Sequence, residues 1–382
     1  MKVLVGLSGG VDSAVAAYLL KQQGYDVTCC FMRNWDSLMN QDILGNPSIQ
    51  DEICPQELDY QDAIKVAELL DLKLLRVDFI KEYWEEVFQS FLSDYQKGWT
   101  PNPDILCNKH IKFDSFFKYA FDLGYNKVAT GHYAQIKMIN GRYQLLKAED
   151  LNKDQSYFLS QIKPEVLAKT LFPLGELNKN EVRKIAHQLN LNIADKKDST
   201  GICFIGERNF KQFLNNYLPS KPGKIIDVNS LKVVGDHQGV LYYTTGQRKG
   251  LGIGGTLGPW FVIGKDVYKN ELYVTNNLED ELLNSTSCLV KDVNWFTENP
   301  QSGSFQAKFR YRQKDQPVTV TVINETEVLV TYQPLQAVTL GQQAVFYQDD
   351  LVIGGGVISE LFFNEISYQD KLKERLSASI NP

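Results

Sequence analysis

The sequence lacks most features that would direct a chain out of the cell or into a membrane. No apolar run approaches the roughly 18–20 residues that span a bilayer, and no membrane association is expected. The apolar stretch at the N-terminus meets Ser8-Gly9-Gly10 too early for a secretory leader. Cysteine is scarce, six in 382 residues, and shows no disulfide framework, which predicts free thiols in a reducing cytoplasm. There are four histidines, and His110, His187 and His237 lack metal-ligand spacing, so no metal site is expected. Basic charge is not in excess: 40 Lys and Arg stand against 46 Asp and Glu, a net charge of −6. That balance excludes global attraction to nucleic acid. A nucleic-acid surface, if present, must be a local basic patch on an acidic body.

What is present is ordinary globular composition, 43% hydrophobic and 23% charged, at a length that predicts two or three domains. From Met1 to about Leu218, strand-like runs (Val3–Leu7, Val27–Met32, Leu74–Phe79, Lys127–Thr130) alternate with helical ones (Gln56–Leu70, Lys81–Lys97, Lys109–Leu123). This pattern predicts an α/β domain with a doubly wound parallel sheet, its ligands at the carboxyl ends of the strands. Asn178 followed by Glu181 predicts a capped start for a helix running to Leu189. The polar stretch Asn34–Cys54 reads as a long surface loop or lid. Near Pro219-Ser220-Lys221-Pro222-Gly223 the helical periodicity ends. Short β-rich runs follow and predict a small β-rich domain over 219–284 and a β-barrel over 285–382, with Tyr368–Pro382 as a polar tail.

Three stretches carry chemistry. In the first, the strand Val3–Leu7 breaks into Ser8-Gly9-Gly10 and a helix begins, running from Ala14 to Gln23. Glycines let backbone N–H groups approach a phosphate, and the helix N-terminus adds positive potential. The hydroxyls of Ser8 and Ser13 can donate further bonds. No lysine follows the glycines, which excludes the phosphate loop that grips with one. In the second stretch, Gly98 to Lys109, two prolines lead into a helix expected near Lys109. Cys107 then sits either as a dipole-stabilised thiolate at a helix start or as a small apolar filler, with Asp104 as a candidate proton-transfer partner. The third, Asp195 to Arg208, holds Cys203 among glycines, where Lys196, Lys197 and Arg208 are candidates to lower its pKa. A buried strand cysteine is the alternative.

Together Ser8-Gly9-Gly10-Val11-Asp12-Ser13, Thr100-Pro101-Asn102-Pro103-Asp104 before Cys107-Asn108, Gly131-His132-Tyr133, Lys153-Asp154-Gln155-Ser156-Tyr157 and Ser199-Thr200-Gly201-Ile202-Cys203-Phe204-Ile205-Gly206 resemble the tRNA 2-thiouridylase family of the PP-loop ATP pyrophosphatases. The resemblance extends through Thr245 to Gly252 and Phe309-Arg310-Tyr311-Arg312. It implies a PP-loop catalytic domain over 1–218, a tRNA-binding central domain and ATP-dependent 2-thiolation of the wobble uridine of Lys, Glu and Gln tRNAs. ATP, with Mg²⁺, would be held by Gly6, Leu7, Ser8, Gly9, Gly10, Val11, Asp12 and Ser13, with Met32 and Gly131 beside the adenosine. Asp12 would support the Mg²⁺ or orient the loop. Cys203 would receive persulfide sulfur from a cysteine desulfurase or relay protein. Cys107 would then attack the persulfide and leave a Cys107–Cys203 disulfide after a conformational change, with Asp104 as general acid/base. Asn102, Pro103, Asp104, His132, Lys153, Asp154, Gln155, Tyr311, Arg312 and Gln343 would contact tRNA.

The residues support one nucleic-acid element directly. Lys308, Arg310, Arg312 and Lys314 alternate, so on a strand they share one face opposite Phe309 and Tyr311. A solvated edge strand is the plain alternative. Competing functions are another PP-loop adenylating synthetase or amidotransferase, a tRNA-binding scaffold that only senses nucleotide, and a cluster in which Cys107, Cys203 and a further ligand hold iron and sulfur.

Overall fold

The computed structural model describes residues 1–51, 53–198, 201–219, 221–254, 258–298 and 300–378. Ser199, Thr200, the linker's Ser220 and the tail's 379–382 lie outside the described residues. The chain divides into two compact units. One comprises Met1–Gln89, Pro103–Asn216 and Gln348–Ile353, the other Ser90–Asn102, Tyr217–Tyr347 and Gly354–Pro382.

The first unit is built on a parallel sheet of the doubly wound α/β type. Its strands are β1 (Lys2–Gly6), β2 (Asp26–Arg33), β3 (Lys73–Asp78), β4 (Lys127–Ala129) and, beyond a hairpin, Thr170–Leu171. Their order is β3-β2-β1-β4 followed by Thr170–Leu171 at the edge, all parallel. Val3, Leu4 and Val5 of β1 and Cys29 and Cys30 of β2 are fully buried, as expected of central parallel strands covered on both faces. Helix α1 (Val11–Gln22) returns from β1 to β2, burying Ala14, Val15, Ala16 and Ala17. Helix α2 (Pro55–Leu69) returns from β2 to β3. The strand order reverses between β1 and β4, with β2 and β3 added on one side of β1 and β4 on the other, the switch point beside which such sheets bind ligands.

The hairpin, β5 (Gln135–Ile139) and β6 (Arg142–Leu146), is an element the strand reading missed. Its turn, Asn140-Gly141, has both residues at positive φ, +50° and +79°, the type I′ geometry favoured by Asn-Gly. The Asn34–Cys54 stretch also differs from a free surface loop. Trp35 is buried against Tyr83, Trp84, Phe88 and Phe213, and the buried Asp42 carboxylate pairs with Arg208 at 2.7 Å.

In the second unit a four-stranded sheet precedes a barrel. Two of its strands, Gly223–Asp227 and Glu271–Thr275, pair in parallel, and Val233–His237 and Phe261–Asp266 flank them antiparallel. The barrel runs Asn284–Trp295, Glu327–Gln336, Gln316–Asn324, Gly303–Lys308, Gln343–Gln348, Leu351–Phe363 in spatial order. Pairing of the last strand with the first, Val290 opposite Ile358, closes it, which removes exposed sheet edges.

Three sequence expectations in this unit are corrected. Gly239–Thr244 is not a strand; Val240–Tyr242 forms a 3₁₀ turn. Tyr368 to Ala378 is a helix rather than a polar tail: the Tyr368 hydroxyl donates to the carbonyls of Ile263 and Leu282, and Arg375 pairs with Asp280 at 3.3 Å. The cationic strand ends at Lys308, and the chain turns before the next strand starts at Gln316. Arg310, Arg312 and Lys314 therefore do not share a strand face with Lys308. Gln313 donates its N–H to the Arg310 carbonyl at 3.1 Å, and Lys308 faces Asp315 at 3.8 Å.

Candidate active site

The loop between β1 and α1 is shaped by close approach. Gly9 has φ +74°, and a Cβ there would lie 2.2 Å from the Asp59 carbonyl oxygen of α2. Gly131, just past β4, is equally confined: a Cβ would meet the Ser13 nitrogen at 2.7 Å. Gly6 faces the Met32 methyl, 3.1 Å from where its Cβ would be. Gly6 through Ser13, Met32 and Gly131 therefore cluster at the carboxyl ends of β1, β2 and β4. Helix α1 has Gly10 as its N-cap with no side-chain cap, so the first-turn N–H groups through Ser13 lack intrahelical partners and can receive an anion.

The serines divide their work. Ser13 Oγ accepts the Ser8 N–H at 3.1 Å and donates to the Gly10 carbonyl at 3.1 Å, so its hydroxyl braces the loop instead of facing a ligand. The Ser8 side chain is on the exposed side. Asp12 is held by Lys179 Nζ at 2.7 and 2.9 Å and by the Tyr133 hydroxyl at 2.8 Å. Lys179 also pairs with Asp198 at 2.7 Å. Burial would raise the Asp198 carboxyl, but Lys153 and Lys179 hold it below the usual range. Lys196 donates to the Gly9 carbonyl at 3.1 Å and pairs with Asp59 and Asp62. Both Asp12 oxygens are engaged by Lys179, and among the described residues no three His, Cys, Asp or Glu side chains converge to hold a metal. Asp12 is thus tied by Lys179 and Tyr133 into the ion-pair network beneath the glycine loop.

The two loop cysteines lie together in the same unit. The helix carrying Cys107 begins at Pro103, earlier than expected, and winds as a π-helix over Cys107–Ser115. Cys107 is thus inside a helical run and fully buried, so the helix-start argument for its ionisation fails. Cys203 sits in a tight turn where Gly206 N–H bonds the Ile202 carbonyl at 2.8 Å and Phe204 adopts φ +65°, a strained value for an aromatic residue. Three side chains fix this turn: Asp104 accepts the Cys203 N–H at 3.1 Å, the Tyr83 hydroxyl donates to the Cys203 carbonyl at 2.8 Å, and Gln56 of α2 donates to the Phe204 carbonyl. Helix α2 therefore touches the cysteine turn through Gln56 and the glycine loop through Asp59.

Cys107 Sγ stands 3.7 Å from Cys203 Sγ and donates to it. No large rearrangement is needed to bring the sulfurs together. Burial pushes the Cys107 thiol well up, whereas the Cys107 S–H and then Lys112 pull Cys203 down. Lys196 and Arg208 are engaged with carboxylates elsewhere; Lys112, 3.5 Å from His132 Nε2 and 5.6 Å from the centre of the Phe204 ring, is the cation that pulls Cys203 down. Burial raises the Asp104 carboxyl despite the Cys203 N–H and Lys112. Among the other thiols, burial lifts Cys29, Cys30 and Cys288 to about 12, and Cys54 is exposed.

The residues expected to meet tRNA are spread more widely. Asp104 and His132 lie in the cysteine cluster, where His132 is buried. Asp154 is buried too, its carboxylate accepting from the Ala148 and Ser156 N–H groups and the Ser156 hydroxyl, which is a turn-forming role. Gln155 accepts the Tyr133 N–H at 2.9 Å, and Lys153 is paired with Asp198 at 2.8 Å. Pro103 opens the Cys107 helix. Asn102, Tyr311, Arg312 and Gln343 belong to the second unit, with Arg312 exposed and Gln343 buried. Sequence reasoning missed Lys112, Lys179, Tyr83 and Gln56. None sits in a motif, and only packing delivers them.

Residues 1–207 match the family described as tRNA methyl transferase HUP domain, 211–276 the tRNA methyl transferase PRC-barrel domain, and 285–358 the aminomethyltransferase beta-barrel domain. Among curated proteins, the tRNA-specific 2-thiouridylase MnmA of Mycoplasma capricolum is 56% identical over 370 residues, covering 94% of this chain and 99% of its own. MnmA of Mycoplasma mycoides is 55% identical with the same coverage. MnmA of Mycoplasmopsis synoviae is 56% identical over 364 residues, 95% of this chain and 96% of its own.

Proposed function

The chain belongs to the tRNA-specific 2-thiouridylase family, and from that premise we propose that it exchanges the O2 oxygen of the tRNA wobble uridine for sulfur, driven by ATP. The observation that carries this reading is the pair of cysteines whose sulfurs stand 3.7 Å apart, with Asp104 bonded to the Cys203 N–H beside them. Methyl transfer, which the name of the matching domain suggests, gives such a pair no task.

The steps balance as follows. Uracil O2 attacks the α-phosphorus of ATP and pyrophosphate leaves, so the oxygen becomes part of a good leaving group. ATP lies along the α1 N-terminus, where unpartnered N–H groups and the Ser8 hydroxyl stabilise the phosphates. Separately, the Cys203 thiolate attacks the sulfane sulfur of a donor persulfide, from a cysteine desulfurase or relay protein, and the donor departs as thiolate. The terminal sulfur of the Cys203 persulfide adds to uracil C2, and AMP leaves with the C2–O electrons. Cys107, deprotonated, then attacks Cys203 Sγ. The S–S bond to the base breaks, 2-thiouridine is released, and a Cys107–Cys203 disulfide remains. A dithiol reductant restores the pair. Asp104, with its raised carboxyl beside both cysteines, suits proton transfer in these steps. The expected substrates are the tRNAs for Lys, Glu and Gln, met in the cytoplasm.

The test is nucleoside mass spectrometry after incubation with ATP, a persulfide donor, reductant and unmodified tRNA. The expected product is 2-thiouridine, lost in Cys203→Ser while ATP-dependent pyrophosphate release persists. A methylated nucleoside, or full thiolation by Cys203→Ser, overturns the reading.

A further inference from the structure

We propose that the wound segment 36–44 is the docking surface for the persulfide-bearing protein that supplies sulfur to Cys203, an assignment that rests on the sulfur-transfer reading. The segment partitions its side chains in reverse. Its polar groups point inward: the buried Asp42 carboxylate accepts from Arg208 at 2.7 Å, Trp35 Nε1 at 3.0 Å and Ser37 Oγ at 3.2 Å. Asn46 donates to Ser37 Oγ at 3.2 Å and to the Asp42 carbonyl at 3.0 Å, and Asp36 accepts the Leu38 and Met39 N–H groups. The apolar side chains face outward: Leu38 is 77% exposed, Met39 71%, Ile43 54% and Leu44 47%. A single exposed leucine is ordinary, but four large apolar residues within seven positions mark a contact surface. The inward hydrogen bonds hold the backbone wound this way, so the four side chains stay in water until a partner covers them.

The patch is tied to the chain that carries Cys203. Arg208, clamped to Asp42, stands five positions after Cys203, at most about 18 Å of extended chain. Next to it the Asn209 N–H donates to the Gly45 carbonyl at 2.8 Å. Asn216 accepts the Leu44 N–H at 2.9 Å and donates to the Leu44 carbonyl at 3.0 Å. All of these residues belong to the first unit. Charge selects the occupant: residues 34–54 contain four acids and no Lys, Arg or His. A phosphate backbone is held by cations, so RNA does not fit this surface, whereas an apolar protein face does. Cys203 itself is half-buried, and a donor's sulfane sulfur has to come within bonding reach of it. The donor must therefore dock beside the turn and insert the segment bearing its persulfide. Its sulfane sulfur then passes to Cys203 Sγ and the donor cysteine leaves as thiolate.

The test follows sulfur onto Cys203 of the full-length reduced protein by peptide mass spectrometry, with neither ATP nor tRNA present. Two donors are compared. One is the host's cysteine desulfurase charged with L-cysteine and supplemented with the host's relay proteins; the other is glutathione persulfide, which needs no docking surface. Leu38→Ser combined with Ile43→Ser is expected to slow transfer from the protein donor about tenfold at limiting donor and to leave transfer from glutathione persulfide unchanged. Leu123→Ser, at a leucine 51% exposed elsewhere in the unit, should match wild type with both donors. Wild-type transfer from the protein donor by the double variant overturns the surface, as does an equal loss with both donors or the same loss in Leu123→Ser. With transfer unchanged, weaker tRNA binding by the double variant assigns the patch to RNA, and a dimer lost in sedimentation assigns it to a second copy; either overturns the proposal. Patch-dependent sulfur on Cys203 with tRNA left unthiolated supports the surface and defeats the proposed function. A wild-type Cys203 that takes sulfur from neither donor defeats both.

Discussion

Arg208 and Asp42 form an ion pair taken almost wholly out of water, with 6% and 0% of their side chains exposed. The same Asp42 oxygen also accepts from Trp35 Nε1 at 3.0 Å and Ser37 Oγ at 3.2 Å. The pair ties the Asn34–Cys54 segment to the chain just after the Cys203 turn, which explains why a polar stretch is anchored at its base. Removing one partner leaves a buried charge unpaired. Arg208→Met is expected to cost about 3–5 kcal/mol in urea unfolding. Arg208→Met combined with Asp42→Leu should recover a large part of that loss, because no lone charge remains. Equal destabilisation by single and double variants would mean that the pair's worth lies in packing. The residue scale also shows the limits of reading motifs. Cys107 and Cys203 could be singled out from their stretches, but Lys112 is an unremarked lysine on a helix until folding sets it 3.5 Å from His132 and over the Phe204 ring.

At the scale of elements, the helix Lys179–Gln188 shows a local signal carried through to the site. Asn178 Oδ1 accepts the Glu181 N–H at 3.0 Å and Glu181 accepts the Asn178 N–H at 2.8 Å, the capping box expected from the sequence. Its first residue, Lys179, reaches Asp12 of the glycine loop. Asn178→Ala should therefore lower stability by about 1 kcal/mol in denaturant titration; a change within error would show that Glu181 and tertiary contacts hold the helix start alone. Reading Pro103 as a loop stiffener places the start of the Cys107 helix too late. Proline has no N–H to lose at a first helical position, so the helix starts there and moves Cys107 into its interior. The Asn140-Gly141 turn is a local signal, but its flanking strands, largely half-buried or exposed, lack the apolar runs that mark the others.

On the scale of the molecule, an acidic chain that serves tRNA must concentrate its cations. Arg248, Lys249, Arg310, Arg312 and Lys314 are exposed in the second unit. Arg310 donates to Thr339 at 3.0 Å and lines a cavity of about 350 Å³ with Thr100, Thr244, Thr245, Gln247 and Gln342. The turn after Lys308 replaces the expected cationic strand, and the cations remain exposed upon it. Arg310→Ala with Arg312→Ala is expected to weaken tRNA binding and to reduce the slope of log affinity against log salt by up to about two. Filter binding over a salt series measures this, and an unchanged slope would remove the turn from the RNA surface.

The sequence by itself determined the parallel sheet, the glycine loop and the capped helix. These follow from patterns a few residues long: apolar runs for strands buried on both faces, glycines where no side chain fits, an Asn and a Glu at cap spacing. The tertiary structure decided the chemistry of the loop cysteines. Cys107 and Cys203 are 96 positions apart, and folding sets their sulfurs 3.7 Å from each other, where burial pushes Cys107 up and the Cys107 S–H pulls Cys203 down. It also closed the barrel, through a pairing of its first and last strands that no local pattern encodes. Charge placement and strand closure are sums over packed neighbours, and those neighbours exist only once the chain has folded.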